Sequence, residues 1–176
     1  MNIGIDIDCV CNNLVEEWLF RLNNKYNLNV KYDDITSYSI SQFFPTLSQE
    51  QIYEPLNDND MWNSLVPRQD SIKYIKQLQD DGHEIKLITA TDVHFMPVKC
   101  KWILKHYPFI NEKDIWMVFD KTWIKADILL DDCVANLQGS SYLGICYSQP
   151  WNTAYKGLRV NNWKEFYNII LKAPTN

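Results

Sequence analysis

Residues 2–10 have the sequence NIGIDIDCV, and this stretch decides the fold of the chain. Its apolar, mostly β-branched part is typical of a strand buried in a sheet. The run leads directly into Asp6 and Asp8, which are separated by one residue. Such a pair also caps helices and forms turns, but at the end of a buried strand two carboxylates are unfavourable unless a cation meets them. The stretch therefore predicts a buried first strand that ends at a divalent metal ion, a lysine, or both.

Length and charge limit the classes of protein to which the chain can belong. Its 176 residues suit one domain with room for a small insertion. The 17 basic and 22 acidic residues give a net charge of -5, which argues against a general nucleic-acid surface but not against a pocket for a small anion. No apolar run approaches membrane-spanning length. We therefore expect neither a membrane nor a nucleic-acid polymer as a partner.

The five cysteines indicate a reducing compartment. They form an odd set without a repeated pair spacing, which predicts neither a disulfide framework nor a zinc ribbon. The simple interpretation is a cytoplasmic protein, and the strand that begins at residue 2 leaves no room for a signal peptide. Cys9, Cys11 and Cys133 could form a thiolate metal site, but the carboxylates of the same region favour a harder ion.

Strand and helix patterns alternate over most of the chain. Asn12 or Asn13 can cap a helix that ends near Asn27, and from Pro67 onward a regular rhythm resumes. Helices are predicted at 71–81, 97–106 and 163–171, with a short one after residue 132, and strands at 84–88, 115–119, 128–130 and 143–147. This alternation predicts an α/β fold, a Rossmann-like parallel sheet with helices on both faces.

Residues 28–66 differ in character from the rest of the chain. They are rich in Tyr, Phe, Ser, Asp and Asn, and their helical signals are short, such as the capping-box pattern of Ser48 and Gln51. We therefore predict a core domain of residues 1–27 and 67–176 and a small, mostly helical cap insertion of residues 28–66.

Polar residues follow the predicted strands. They are Asp6 and Asp8, Thr89, Lys121, and Asp131 with Asp132. Each has an ordinary explanation on its own, such as a strand end, a solvated loop or a turn. Because the carboxyl ends of parallel strands meet at one edge of a sheet, we expect these side chains to converge. Four carboxylates, a lysine and a hydroxyl together predict a pocket for a hard cation and a phosphate group.

The order of these residues resembles the motifs of the haloacid dehalogenase superfamily. Those motifs are a strand ending DxDx(T/V), a strand ending in Thr or Ser, a lysine, and an apolar strand ending in an acidic pair. Here they stand at residues 5–10, at 87–89, at Lys121 and at 128–132. Within the superfamily the chain most resembles the 5'(3')-deoxyribonucleotidases. The specific matches are DKT at 120–122, ADILLDD at 126–132, WxxLxP at 62–67, KW at 101–102, PWN at 150–152 and VxxW at 160–163.

The resemblance spans nearly the whole chain and is weakest in residues 28–66. Two positions depart from the family pattern. Cys9 stands where the family commonly carries Gly, and Ala90 stands where the mammalian members have Ser. Both departures bear on substrate preference more than on the reaction.

The resemblance implies a Mg²⁺-dependent phosphomonoesterase that works through an aspartyl-phosphate intermediate. Asp6 would be the nucleophile, and Asp8 the general acid and then the general base. The implied Mg²⁺ ligands are Asp6, the backbone carbonyl of Asp8, and Asp132. Lys121 would offset the negative charge of the phosphate, with Asp131 holding its ammonium group.

The implied substrate is a small phosphomonoester, above all a deoxynucleoside monophosphate that is hydrolysed to nucleoside and phosphate. Thr89 and the amides after it, beginning with Ala90, would bind the phosphate together with Lys121. Candidate contacts for base and sugar are Leu14, Tyr38, Ile40, Phe43 and Phe44. His94 is expected at the surface. The sequence leaves the base, the sugar and the oligomeric state open, a homodimer included.

Other functions remain compatible with parts of the pattern. A phosphatase for a sugar phosphate or another small phosphoester would use the same chemistry, whereas the acidic net charge argues against a nucleic-acid 3'-phosphate end. A receiver-like module also places Asp, Thr and Lys on a parallel sheet, but in a different order along the chain. A non-catalytic phosphate-binding module is disfavoured because every motif position is filled.

Overall fold

A six-stranded, fully parallel sheet forms the centre of the computed structural model, which describes residues 1–173. The strands are β1 (Asn2–Asp6), β2 (Glu84–Thr89), β3 (Ile115–Met117), β4 (Ile128–Asp131), β5 (Leu143–Tyr147) and β6 (Arg159–Val160). Their order is β3-β2-β1-β4-β5-β6. β1 therefore lies between β2 and β4, at the point where the chain reverses its direction of travel across the sheet, which is where such sheets bind ligands. The last residues of the predicted core domain, 174–176, lie outside the described residues.

The α-helices are α1 (Leu14–Tyr26), α2 (Gln49–Tyr53), α3 (Asn59–Ser64), α4 (Ser71–Asp80), α5 (Met96–His106) and α6 (Trp163–Lys172). Short 3₁₀ helices connect them at Tyr32–Asp34, Ile40–Phe43, Glu54–Asn57, Glu112–Asp114, Lys121–Trp123, Val134–Gln138 and Pro150–Asn152. Gly82 follows α4 with φ 86°, in the left-handed region that glycine enters without strain. The predicted strands and helices are present, but the strand predicted at 115–119 ends at Met117 and the short helix predicted after residue 132 is 3₁₀. β6 is an addition that is too short to show a sequence period. Within residues 1–173, none of the helices combines the length and the hydropathy that a membrane crossing requires.

The two faces of the sheet are covered differently. On one face α4, α5 and α6 pack against a large core that includes Ile3, Ile5 and Leu130. On the other face Ile88 and Leu129 lie beneath the segments 118–127 and 132–142, whose helices in the described chain are 3₁₀. Each of these segments must cross from one strand to the next, and neither is long enough to form a long α-helix on the way. The predicted parallel α/β class is thus confirmed, with the helices of the second face reduced to single turns.

The segment 28–66 packs around α1. Trp18, Leu19 and Leu22 of α1 share one apolar core with Ile35 and Phe44 of the segment. α1 thus lies in the predicted core range but buries its apolar face against the insertion. The division of the chain into two domains stays a prediction.

Arg68 binds this segment to the loop after β1. Its guanidinium forms a salt bridge with Glu16 of α1 and donates to the Tyr32 hydroxyl at 3.2 Å. Its Nε also donates to the carbonyl of Cys9 at 3.3 Å. The Tyr32 hydroxyl in turn donates to the side chain of Gln149. The insertion is therefore fixed near the carboxyl end of β1 by partly buried polar contacts as well as by packing.

Candidate active site

Strand pairing brings the acidic residues together at one edge of the sheet. Ile5 pairs with Leu130 in parallel register, so that Asp6 at the end of β1 stands beside Asp131 at the end of β4. Carboxylate oxygens of Asp6, Asp131 and Asp132 all lie within 4.8 Å of one another, and all three residues are buried. The convergence expected from the strand ends is therefore present.

Lys121 lies in the middle of this acidic group. It begins the 3₁₀ helix after β3, which Asp120 caps by accepting the Thr122 amide at 3.0 Å. Its ammonium group binds Asp6 Oδ1 and, at 2.7 Å, Asp131 Oδ2. Burial alone would lower the pKa of Lys121, yet the carboxylates of Asp6 and Asp131 raise it well above its ordinary value. Lys121 is therefore a permanent cation at this site.

Asp131 is held by several donors at once. Besides Lys121, Oδ2 accepts the Asn136 side-chain amide at 3.1 Å, and Oδ1 accepts the Cys133 backbone amide at 2.8 Å. Each oxygen of Asp131 therefore already has at least one N–H partner, which suits a side chain that orients Lys121.

One lysine does not balance three buried carboxylates. Burial raises the pKa of Asp6 to about 7 against the opposing effect of Lys121. Burial likewise raises the pKa of Asp132 well above its ordinary value, and repulsion from Asp6 adds to the effect. The group offers hard carboxylate oxygens as ligands, and its single ammonium group leaves a net negative charge. These residues therefore fit a small divalent cation of the Mg²⁺ type.

The loop after β5 orients Asp132. Trp151 Nε1 donates to Asp132 Oδ2 at 2.8 Å, and the Asn152 side chain donates to the Asp132 carbonyl at 2.9 Å. Both residues belong to the Pro150–Asn152 stretch that carries part of the family resemblance. The structure thus connects this stretch physically with the acidic group.

Asp8 lies apart from these three carboxylates, in the loop after β1. Asn12 Nδ2 donates to Asp8 Oδ1 at 3.1 Å, while Asn12 Oδ1 accepts the amides of Cys9 and Leu14, each at 3.1 Å. Cys9 has φ 62°, a left-handed conformation that favours glycine. This backbone conformation explains why the resembling family commonly carries Gly at the position of Cys9. Burial also raises the pKa of the Cys9 thiol, which keeps it protonated.

Sequence reasoning missed a second buried lysine, Lys99 of α5. Its side chain is almost fully buried, contacts Asp8 Oδ2 and donates to Thr89 Oγ1 at 3.1 Å. Val98, Trp102 and Ile103 are buried on the same helix. A lysine at helical spacing from buried apolar residues is a signal in the sequence that could have found it.

A cavity of about 340 Å³ opens above these residues. The polar part of its lining, which we call the floor, includes Asp6, Asp8, Thr89, Lys121 and Asp132, and the apolar and aromatic part, which we call the upper wall, includes Leu14, Trp18, Tyr38, Ile40, Tyr53 and Phe95. Ala90 lines the cavity as well. The predicted contacts Leu14, Tyr38 and Ile40 are thus on the upper wall, whereas Trp18, Tyr53 and Phe95 were missed.

Three other aromatic or titratable candidates lie elsewhere. Phe43 and Phe44 pack into the apolar core of the insertion and are not among the residues that line the cavity, so their contact with a ligand stays a prediction. Phe44 is 1% exposed within the core that the insertion shares with α1. His94 is exposed, as expected.

Comparisons with known proteins agree on family and fold. The family model described as "5' nucleotidase, deoxy (Pyrimidine), cytosolic type C protein" matches residues 1–175. A 5'(3')-deoxyribonucleotidase of Bacillus subtilis (strain 168) is 28% identical over 172 residues, covering 96% of this chain and 98% of the relative. A 5'(3')-deoxyribonucleotidase of Clostridium acetobutylicum is 26% identical, covering 93% and 91%. The structure of a haloacid dehalogenase-like protein of Agrobacterium tumefaciens superposes with a TM-score of 0.68 at 10% identity, covering 97% of each chain.

Proposed function

The chain belongs to the family of cytosolic type C 5'-deoxynucleotidases, and from this membership we propose that it hydrolyses deoxynucleoside monophosphates to nucleoside and phosphate with the help of Mg²⁺. The family consists of phosphoric monoester hydrolases. The observation that carries the proposal is the pocket itself, which Asp6 and Lys121 line together with the apolar and aromatic side chains of the upper wall. A phosphate group suits the floor, and a flat base suits the wall.

Asp6 is the proposed nucleophile. Lys121 binds its Oδ1, which leaves Oδ2 for attack on phosphorus. As the bond from Asp6 to phosphorus forms, the ester bond to the sugar oxygen breaks and Asp8 gives that oxygen a proton. Asp8 then removes a proton from water, which attacks the phosphorus of the aspartyl-phosphate and releases phosphate. Thr89 and the Ala90 amide hold the phosphate oxygens during both steps.

The proposed metal ligands are Asp6, Asp132 and the backbone carbonyl of Asp8. Mg²⁺ in this position would supply positive charge beside the phosphate. Asp131 belongs to the same carboxylate group, but its oxygens already accept donors from Lys121, Cys133 and Asn136. We therefore assign Asp131 the task of positioning Lys121.

The upper wall supports a nucleoside over a simple sugar. Trp18, Ile40 and Tyr53 present apolar surface above the floor. The hydroxyl groups of a hexose would lose water against such a wall without gaining hydrogen bonds, whereas a base stacks on it. The volume of about 340 Å³ lies at the lower end of the range for small-ligand sites and suits a mononucleotide.

The test is phosphate release from a panel of deoxyribo- and ribonucleoside 5'- and 3'-monophosphates and hexose phosphates, with Mg²⁺ and with EDTA. We expect release from deoxynucleotides that EDTA abolishes. The matched control is Asp6→Asn, which keeps the shape of the side chain. No release from any substrate would overturn the proposal, and preference for hexose phosphates would replace the substrate while leaving the mechanism.

A further inference from the structure

The pocket contains two buried lysines, and only Lys121 has a task in the mechanism above. Lys99 lines the same cavity and is 3% exposed. It contacts Asp8 Oδ2 and Thr89 Oγ1, which are the proposed proton donor and a phosphate-binding hydroxyl. We propose that Lys99 is a positioning residue that holds Asp8 on the side of the leaving group, and this inference rests on the proposed function.

The hydrogen bonds of the two lysines differ. An ammonium group has three N–H donors. Within residues 1–173, those of Lys99 meet the Asp8 carboxylate, the Thr89 hydroxyl and the face of Trp62, whose ring centroid is 4.9 Å from Nζ. Lys121 uses two donors, on Asp6 and Asp131, which leaves a third for the phosphate. Lys99 therefore acts on the reaction through its neighbours.

The carboxyl group of Asp8 is fixed at both ends and still open to the pocket. Lys99 holds Oδ2, and Asn12 Nδ2 donates to Oδ1 at 3.1 Å. Two carboxylate oxygens offer about four lone-pair positions, so one donor at each oxygen leaves room for the proton that Asp8 transfers. The Asp8 side chain is 21% exposed, whereas that of Lys99 is 4% exposed. Asp8 is therefore held by the protein at both oxygens and is still partly accessible from the pocket.

Trp62 extends this arrangement into the insertion. It lies on α3, donates through Nε1 to the Leu56 carbonyl at 2.7 Å, and packs against Phe95 with ring centroids 5.5 Å apart. Its ring is thus held in place beneath the ammonium group of Lys99. The orientation of Asp8 therefore depends on a residue of the cap insertion, through one lysine.

This role predicts a dependence on the leaving group. A sugar alkoxide needs a proton as it departs, whereas p-nitrophenolate departs without one because its conjugate acid is much stronger. Lys99→Met should lower kcat/KM about 100-fold for a deoxynucleoside 5'-monophosphate and by less than about 5-fold for p-nitrophenyl phosphate. The ratio kcat/KM reports the steps up to departure of the leaving group. It is therefore not affected by the later step, in which Asp8 acts as base on water.

A double-mutant cycle tests whether Lys99 acts through Asp8. In an Asp8→Asn background, Lys99→Met should change kcat/KM for the nucleotide by no more than about 2-fold, because the side chain that it positions no longer carries a proton. If Lys99 instead bound the phosphate directly, Lys99→Met would lower kcat/KM as much in the Asp8→Asn enzyme as in the wild type. It would also lower kcat/KM equally for the nucleotide and for p-nitrophenyl phosphate. Either of those results, or an unchanged Lys99→Met enzyme, would overturn the inference.

Trp62 provides a second variant in case Lys99→Met does not fold. Trp62→Leu should also lower kcat/KM selectively for the nucleotide, but by a smaller factor than Lys99→Met. Trp62→Phe, which keeps an aromatic face, should retain most of the wild-type kcat/KM. Equal losses on both substrates in Trp62→Leu would contradict the inference. A wild-type enzyme without phosphatase activity would overturn the proposed function as well, whereas an active wild type with non-selective variants overturns this inference alone.

Discussion

The floor and the upper wall of the pocket are built in opposite ways. On the floor, Asp6, Lys121 and Asp132 are buried at or near strand ends and each has a hydrogen-bond partner within the protein. On the upper wall, Trp18 and Ile40 are buried, but Tyr38 is 68% exposed and Tyr53 is 39% exposed. The sheet thus positions the groups proposed for phosphate chemistry, while exposed aromatic side chains of the insertion are the proposed contacts for the rest of the substrate. Substitutions on the floor should change the rate, and substitutions on the wall should change the substrate.

The largest effect is expected from the nucleophile. Asp6→Asn should lower kcat by about 10⁴-fold or more with every phosphomonoester, because an amide does not form the acyl phosphate. The melting temperature in EDTA should stay equal or rise, since the substitution removes one of three crowded carboxylates. Steady-state kinetics and thermal melting measure the two quantities. A substrate-selective loss would contradict the proposed division between floor and wall.

Lys121→Met should damage both rate and stability. We expect a loss of about 10³-fold in kcat/KM, since the phosphate loses a cationic donor. Without metal the free energy of unfolding should fall by about 3 kcal/mol, because Asp6 and Asp131 lose their buried partner. Denaturant titrations in EDTA and in excess Mg²⁺ measure this, and Mg²⁺ should restore part of the loss. Equal destabilisation under both conditions would argue against a cation beside Asp6.

On the upper wall, Tyr38→Ala should raise KM for deoxynucleotides about 5-fold, which corresponds to roughly 1 kcal/mol of aromatic contact. Its kcat and its melting temperature should remain unchanged, because the ring is exposed. Phe20→Ala is the matched control, since Phe20 is 62% exposed and is not among the residues that line the pocket. If both variants behaved alike, Tyr38 would have no part in binding.

The smallest expected effect is a change in stability on substitution of Cys9, in the loop after β1. Cys9 has φ 62°, and a variant with Gly at this position should be more stable than one with Ala by about 0.5–1 kcal/mol, because Gly relieves the backbone strain. Cys9→Ala keeps the strain while it also removes the thiol, so the difference in melting temperature between the two variants isolates the backbone effect. A Gly variant that is no more stable than the Ala variant would rule out strain at Cys9.

The sequence predicts the floor far better than the wall, for a physical reason. Parallel strands align their carboxyl ends, so the residues after β1, β2 and β4 could be assigned to one edge without knowledge of the packing. The contacts of the wall depend on how short helices turn. Ile40 and Phe44 lie four residues apart, yet Ile40 lines the pocket and Phe44 does not.

Two side chains on or beside the floor, Lys99 and Trp151, could not be placed there from strand ends alone. Lys99 comes from the side of α5, away from any strand end, and Trp151 reaches Asp132 from the loop after β5. Their positions follow from how the loop and helix pack onto the sheet. A pattern of strand ends does not contain that information, although the buried helical position of Lys99 does give a hint.

The packing of α1 against the insertion has a consequence for Asp8. α1 begins at Leu14, whose amide is bound by the same Asn12 side chain that holds Asp8, and its apolar face belongs to the core of the insertion. α1 therefore connects the core of the insertion with the loop that carries Asp8. The position of the proposed proton donor thus depends on how the insertion packs, as well as on the sheet.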